Sequence, residues 1–159
     1  MDATLSLNTT TSATPGRRTH APNEARRPRQ AIARVNTELV LIRGLPGSGK
    51  STMARVLALV GYEHYEADQF FLRDGVYRFD PVRVRDAHAW CQAMTLSALI
   101  QGKRTVVANT FTKLQELAPY QAMSRNVRII EATGRWCDVH KVPATTLQWM
   151  AERWEPLTA

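Results

Sequence analysis

The feature that most constrains the fold of this chain is a glycine-rich segment of eight residues that follows a short apolar run. The segment matches the pattern G-x-x-x-x-G-K-[ST] in full, and its residues are Gly44, Leu45, Pro46, Gly47, Ser48, Gly49, Lys50 and Ser51. The preceding run, Leu39 to Ile42, is continuous and suits a strand that is buried on both faces. After the segment, apolar residues recur at helical spacing. Strand, loop and helix therefore follow one another in the order that a phosphate-binding loop requires.

The residue types of this loop indicate a triphosphate ligand. Its glycines let the backbone curl so that N–H groups point at phosphate oxygens, and the following helix adds its positive N-terminal end. Lys50 would reach the β- and γ-phosphates, and the hydroxyl of Ser51 would coordinate Mg²⁺. A glycine-rich turn that only joins a strand to a helix is the alternative, but the Lys-Ser pair favours a nucleotide site. We therefore predict that residues 44–52, ending at Thr52, bind ATP with Mg²⁺.

The rest of the chain from residue 37 alternates short apolar runs with amphipathic segments, which predicts an α/β fold with a parallel sheet. Further strands are predicted at Tyr62–Ala67, Arg104–Thr110 and Val127–Ala132, the last two buried. The first helix carries Met53, Val56, Leu57 and Val60 on its predicted inner face, with Gly61 at its end. A second helix starts with the Asp80-Pro81 cap, and a last one starts at Pro143.

Residues 1–36 differ in composition from the remainder. They hold six arginines against two acidic residues, which is more than half of the net charge of +7, and they are rich in Thr, Ser and Pro without apolar periodicity. This composition predicts a disordered basic arm, followed by one domain over 37–159. A solvated tail is the favoured interpretation of the arm; a tether for nucleic acid and a transit peptide are the alternatives.

No part of the chain approaches the run of about 20 apolar residues that a transmembrane helix needs, and the N-terminus lacks the apolar centre of a secretory signal. We expect a cytoplasmic protein without a membrane partner, and a monomer by default. The two cysteines, Cys91 and Cys137, are too few for a disulfide framework, so reduced thiols are expected.

Asp68 is the leading acidic candidate near the γ-phosphate, because it follows the second predicted strand and ligands bind at the carboxyl ends of such strands. It could accept the proton of an attacking hydroxyl or ligate Mg²⁺ through water. A turn or cap residue is the alternative of comparable weight. The nearby Asp74-Gly75 pair is instead typical of a tight turn between two short strands.

Several further strings carry a family resemblance. They are Ala67-Asp68-Gln69-Phe70-Phe71, Gly75-Val76-Tyr77-Arg78-Phe79-Asp80, Ala87-His88-Ala89-Trp90-Cys91, Asn109-Thr110-Phe111-Thr112 and His140-Lys141-Val142-Pro143. With the phosphate-binding loop, they resemble the small P-loop kinase-like ATP-binding proteins of phages and bacteria, which are related to the kinase half of phage-type polynucleotide 5′-kinases. The resemblance covers about residues 38–155. It implies a four-stranded parallel sheet of order 2-3-1-4, a base at Asp68 and a phosphate-covering lid before the last helix.

The chain departs from that family pattern at three positions. Lys141 stands where the lid motif usually has glycine, and Phe71 stands where phage-type polynucleotide kinases have an arginine, a role that could pass to Arg73. Asn109 ends the third strand in place of the Asp that many P-loop ATPases use for Mg²⁺, so it is expected to orient substrate or water.

The lid itself is predicted to supply a cation to the phosphates, since such contacts contribute about 10³-fold or more to rate. Arg135 is the preferred residue because it follows Gly134 directly after the fourth strand, and a solvated loop cation is its alternative. The other lid candidates are His140, Lys141 and Arg153.

Two His/Cys pairs, His88 with Cys91 and Cys137 with His140, raise zinc as a rival interpretation. A buried face of the second helix explains the first pair better, and the pairs are far apart in the sequence.

Two functions follow from these patterns. The favoured one is a kinase that transfers the γ-phosphate of ATP to a hydroxyl acceptor, with a polynucleotide 5′-hydroxyl as one candidate. The alternative is a nucleotide-dependent binding module or regulatory ATPase.

Overall fold

A computed structural model of the chain describes residues 34–136 and 141–157. All of the described residues belong to one compact unit. The prediction of a disordered arm falls almost entirely on residues outside this part of the chain. Val35, near the end of the predicted arm, is described, and its backbone pairs in parallel with Ser124.

The described residues form six strands and four helices. The strands are β1 (Leu39–Arg43), β2 (Glu63–Tyr65), β3 (Leu72–Arg73), β4 (Val76–Tyr77), β5 (Thr105–Asn109) and β6 (Val127–Glu131). The helices are α1 (Lys50–Leu59), α2 (Val84–Ile100), α3 (Ala118–Gln121) and α4 (Ala144–Glu152). Short 3₁₀ helices span Ala67–Phe71, Pro81–Arg83 and Leu114–Glu116. Within the described ranges, no helix has the length and apolar character needed to cross a membrane.

The main sheet is parallel, with the order β2-β5-β1-β6. This confirms the α/β class and the predicted order 2-3-1-4, since β5 and β6 are the third and fourth strands of this sheet. The central strands β1 and β5 are fully buried, as expected of strands covered on both faces. β6 is partly exposed, contrary to the prediction, because it lies at the edge of the sheet.

Alternation along β1 divides the core between the two faces of the sheet. Leu39 and Leu41 pack in a cluster with Ala87 and Cys91 of α2, whereas Val40 and Ile42 pack with Ala54 of α1. The predicted inner face of α1 is wrong in part: Leu57 packs toward the core, but Met53, Val56 and Val60 are exposed. The small side chain of Ala54 faces the sheet instead.

Three local predictions are confirmed. Asp74 and Gly75 form the turn between β3 and β4, with φ values of 50° and 76° that suit a tight hairpin turn. Asp80 accepts a hydrogen bond from the backbone N–H of Val82 at 3.0 Å, and Gly61 ends α1 with a φ of 94°. The inward orientation predicted for His88 is wrong, because its position on α2 is exposed while Cys91 is buried.

A buried arginine joins the end of β1 to the C-terminal part of the domain. The guanidinium of Arg43 donates to the carbonyl oxygen of Phe111 from Nε at 3.2 Å and from Nη2 at 2.9 Å, and to that of Thr112 at 3.3 Å. It also stacks on the ring of Trp154 at 4.0 Å. Phe111 has a left-handed φ of 46°, an uncommon conformation that these hydrogen bonds hold in place.

We expect Arg43→Ala to lower the free energy of unfolding by about 3 kcal/mol or more, because the buried carbonyl oxygen of Phe111 loses its donor and a cavity opens beside Trp154. Urea denaturation followed by circular dichroism measures this. Arg128 is the matched control: its side chain is 72% exposed and pairs with Glu38 at 3.2 Å, so Arg128→Ala should cost less than about 1 kcal/mol. Equal losses in the two variants would contradict the structural role of Arg43.

Candidate nucleotide and metal site

The glycine-rich loop lies at the carboxyl end of β1 and leads directly into α1. Gly47 and Gly49 have φ values of 78° and 90°, which a residue with a Cβ atom adopts at a cost. Gly49 is the N-cap of α1, and this helix has neither a side-chain cap nor an acidic residue in its first turn. The first N–H groups of a helix have no acceptor within the helix, and the helix dipole favours negative charge at this end, so this end of α1 suits an anion.

Ser51, the predicted Mg²⁺ ligand, contacts a carboxylate that the sequence analysis did not single out. Its hydroxyl Oγ donates to Glu66 Oε2 at 3.0 Å. The other carboxylate oxygen, Oε1, lies 2.8 Å from His64 Nε2. Burial alone would raise the pKa of Glu66, but hydrogen bonds from His64 and Ser51 and the nearby charge of Lys50 bring it below its ordinary value. Glu66 is therefore a carboxylate anion at neutral pH.

Asp68, the predicted base, lies in the 3₁₀ helix Ala67–Phe71 that follows β2. The hydroxyl of Tyr77, on the β3–β4 hairpin, donates to Asp68 Oδ1 at 3.4 Å. Burial and the neighbouring Asp68 carboxylate raise the pKa of Tyr77 to about 12, so Tyr77 stays protonated and acts as a donor at neutral pH. The hairpin thus contacts the Asp68 carboxylate through Tyr77.

Asn109, at the end of β5, holds the backbone that precedes Asp68. Its Oδ1 accepts from the backbone N–H of Ala67 at 2.9 Å, and its Nδ2 donates to Cys91 Sγ at 3.6 Å. The residue is 5% exposed. Asn109 was expected to orient substrate or water, but its buried side chain instead fixes the start of the 3₁₀ helix. Burial also raises the pKa of the Cys91 thiol, which keeps this thiol neutral.

The segment after β6 lies along the glycine-rich loop. The backbone N–H of Gly134 donates to the carbonyl oxygen of Ser48 at 3.2 Å, and that of Trp136 donates to Gly47 at 2.8 Å. A cavity of about 700 Å³ lies between this segment and the loop, and Trp154 lines its far side. A space of this size next to a phosphate-binding loop can hold a nucleobase and its ribose.

We expect Gly134→Ala to disturb this contact, since a Cβ atom at this position would lie 2.7 Å from the carbonyl oxygen of Ser48. The free energy of unfolding should fall by about 1–3 kcal/mol, and ATP affinity should fall with it. Thr133→Ala, at the exposed neighbouring position, is the control for stability and should leave the free energy of unfolding unchanged. A Gly134→Ala variant as stable as the wild type in urea denaturation would show that the segment does not need this close approach.

The lid candidates are described only in part. Arg135 is exposed and lines the cavity beside the loop. Lys141 has a left-handed φ of 50°, which gives a physical reason for the glycine that the family pattern has at this position. The guanidinium of Arg153 stacks on the ring of Trp149 at 4.0 Å, one turn back on the same helix face. His140 lies outside the described residues.

The zinc interpretation stays untested, because Cys137 and His140 also lie outside the part of the chain that the structure describes. Among the described residues, no three His, Cys, Asp or Glu side chains are grouped in a way that could hold a metal ion. Mg²⁺ in nucleotide sites does not require such a group, because water and phosphate oxygens fill most of its six positions. The uncapped helix end and the Ser51–Glu66 oxygen pair therefore fit a nucleotide with Mg²⁺.

The fold and this arrangement define a P-loop kinase-like domain. The family AAA_33, described as an AAA domain, matches residues 39–157, and the chain belongs to this family. Human NEDD4-binding protein 2 is 35% identical over 100 residues, which cover 61% of this chain and 6% of that protein. The chain thus corresponds to a small part of this relative.

Solved structures give the same fold. The Pnkp1/Rnl/Hen1 RNA repair complex contains a chain with 18% identity and a TM-score of 0.53, covering 79% of this chain and 48% of that one. A gluconokinase from Sinorhizobium meliloti has 18% identity and a TM-score of 0.52, covering 77% of this chain and 78% of that one. At this identity the likeness establishes the fold and not the substrate.

Proposed function

We propose that this chain is an ATP-dependent phosphotransferase that moves the γ-phosphate of ATP to a hydroxyl group. One observation carries the proposal: a complete phosphate-binding loop ends β1, and the carboxylate of Asp68 follows β2 at the same carboxyl edge of the parallel sheet. Such an edge is where open α/β sheets bind their ligands. A nucleotide and an acceptor would thus meet between the loop and the 3₁₀ helix that carries Asp68.

The residues of the loop would hold ATP. The backbone N–H groups of residues 44–52 and the side chain of Lys50 would bind the phosphates, and the Ser51 hydroxyl would bind Mg²⁺. Bound Mg²⁺ supplies neutralisation of charge on the phosphate oxygens. The cavity beside Trp154 would take the base, and Arg135 on its rim would add positive charge near the phosphates.

Asp68 would act as the base. Its carboxylate would accept the proton of the acceptor hydroxyl as that oxygen attacks the γ-phosphorus, and ADP would leave from the opposite side. Asn109 positions this carboxylate through the backbone of Ala67, and Tyr77 orients it through Oδ1. The Asn109 side chain is neutral and buried, which argues against the Asp-based hydrolysis of P-loop motors.

The chemical class of the acceptor hydroxyl is the finer part of this proposal. The two solved structures come from an RNA repair complex and a gluconokinase, so a polynucleotide 5′-hydroxyl and a sugar hydroxyl are both candidates. Phe71 stands where phage-type polynucleotide kinases have an arginine, and it is buried against Phe79. Arg73, exposed on the adjacent hairpin, is the cation that could take that role.

A transfer assay with γ-labelled ATP tests the proposal. The acceptors are 5′-hydroxyl oligonucleotides, nucleosides, gluconate and small hydroxy compounds, each incubated separately with the wild type. We expect label in one acceptor class. Label in no acceptor, together with tight ATP binding, would favour the nucleotide-dependent binding module instead.

A further inference from the structure

We infer that Glu66 is the carboxylate that holds Mg²⁺ beside Ser51, with His64 fixing its orientation, and that Asp68 serves the acceptor. This inference rests on the proposed function, since it assumes that the loop binds ATP with Mg²⁺. It assigns Mg²⁺ to Glu66, two positions before Asp68. The sequence alone gave Asp68 both candidate roles, as the base and as a ligand of Mg²⁺.

The contact with Ser51 is the first argument. In P-loop nucleotide sites, Mg²⁺ is held by the loop hydroxyl together with an acidic side chain. Here the loop hydroxyl and a carboxylate oxygen are already neighbours, with Ser51 Oγ 3.0 Å from Glu66 Oε2. Hydroxyl and carboxylate oxygens are the hard ligands that Mg²⁺ prefers, and the carboxylate can act directly or through a bound water.

The other acidic side chains near this edge of the sheet have different contacts, and the neighbouring strand β5 has no acidic residue at its end. β5 ends in Asn109, which has no charge and whose side-chain oxygen accepts from the backbone of Ala67. Asp80, a further acid near the start of α2, caps the backbone of Val82 and is directed to its own turn. Asp68 Oδ1 accepts from Tyr77 on the hairpin. Glu66, by contrast, accepts a hydrogen bond from the loop hydroxyl of Ser51.

His64 gives the second argument. The side chains of His64 and Glu66 are only 14% and 12% exposed. His64 lies on β2, and Glu66 follows this strand directly with an extended backbone, so the two side chains share one side of the chain. The 2.8 Å contact to Oε1 leaves Oε2 directed at Ser51. Partners that orient a ligating carboxylate in this way typically affect metal affinity by about 10- to 100-fold. An ion pair that only stabilises the strand end is the competing explanation.

Calorimetric titration of ATP, repeated over a series of Mg²⁺ concentrations and in EDTA, separates these explanations. The variants are Glu66→Gln and, as the matched control, Glu63→Gln, which removes a nearby carboxylate on β2 that pairs with Lys103 at 3.0 Å. We expect Mg²⁺ to strengthen ATP binding to the wild type and to Glu63→Gln. In Glu66→Gln at least about 10-fold of that gain should disappear, whereas affinity in EDTA should hold or rise because a negative charge has gone.

A second readout uses Mn²⁺, which carboxylate sites also accept. Electron paramagnetic resonance with ADP and Mn²⁺ should report one bound ion in the wild type and weaker retention in Glu66→Gln. If Glu66→Gln fails to fold, Glu66→Asp keeps the negative charge on a shorter side chain. This variant should need a higher Mg²⁺ concentration for the same gain in ATP affinity.

Three outcomes would overturn the inference. One is a folded Glu66→Gln or Glu66→Asp variant with the Mg²⁺ dependence of the wild type, and another is an equal loss in Glu63→Gln. In both cases the wild type still binds ATP with Mg²⁺, so the proposed function survives. The third is a wild type whose ATP binding ignores Mg²⁺ or is absent, which would overturn the inference and the proposed site together.

Discussion

Asp68→Asn should bind ATP with Mg²⁺ as tightly as the wild type and transfer phosphate about 10²- to 10⁴-fold more slowly. Asparagine keeps the size and shape of the side chain but cannot accept the proton of the acceptor hydroxyl. The loss corresponds to about 3–5 kcal/mol in the activation free energy. Phosphotransfer, calorimetric affinity and melting temperature should be measured on one preparation.

The matched control for this variant is Asp74→Asn, six residues further along. Asp74 occupies the hairpin turn with a φ of 50°, a conformation that asparagine tolerates well, so this substitution should leave transfer and stability unchanged. A folded Asp68→Asn variant with undiminished transfer would end the base hypothesis. Loss of Mg²⁺-dependent ATP affinity in Asp68→Asn would instead return the metal to Asp68 and contradict the assignment to Glu66.

Lys50→Ala should weaken ATP binding by about 10²-fold or more while the domain stays folded. The ammonium group of Lys50 would contact the β- and γ-phosphates, and charge-assisted hydrogen bonds of this kind contribute about 1.5–3 kcal/mol each. Two such contacts correspond to at least about two orders of magnitude in the dissociation constant. Calorimetric titration with ATP and Mg²⁺ measures the change.

Lys103→Ala is the control for the loss of a positive charge, because Lys103 is half-exposed at the far end of β5 and pairs with Glu63. This variant should bind ATP as the wild type does. Unchanged ATP affinity in a folded Lys50→Ala variant would contradict the assignment of the site to the loop.

The parts of the fold that the sequence predicted correctly are those fixed by local signals. The run Leu39 to Ile42, the glycine pattern and the helical segment after it each constrain the backbone near themselves, so the β1–loop–α1 unit was predictable. The Asp74-Gly75 turn and the Asp80 cap also act on adjacent residues only. Hydrophobic periodicity does not encode the order of strands in a sheet, so the predicted order came from the family resemblance. The structure confirms that order.

The parts that could not be predicted depend on partners distant in the sequence. The inner face of α1 is set by close packing of Ala54 on the sheet, which the apolar stripe of Met53, Val56 and Val60 does not reveal. Arg43 pairs with carbonyl groups 68 and 69 residues away, and nothing local indicates that a strand-ending arginine is buried. Glu66 meets Ser51 only because β2 and β1 are brought to the same edge of the sheet; the His-x-Glu spacing on a strand was the available signal.

The central claim is that the γ-phosphate of ATP goes to a hydroxyl acceptor, and the ratio of inorganic phosphate to ADP tests it most directly. The wild type, ATP, Mg²⁺ and the acceptor that takes label should be incubated together, with both products measured over time. A phosphotransferase with Asp68 as its base predicts ADP formation that depends on the acceptor, with one phosphorylated acceptor per ADP and little inorganic phosphate. Equal amounts of ADP and inorganic phosphate, formed at the same rate with or without the acceptor, would contradict the account.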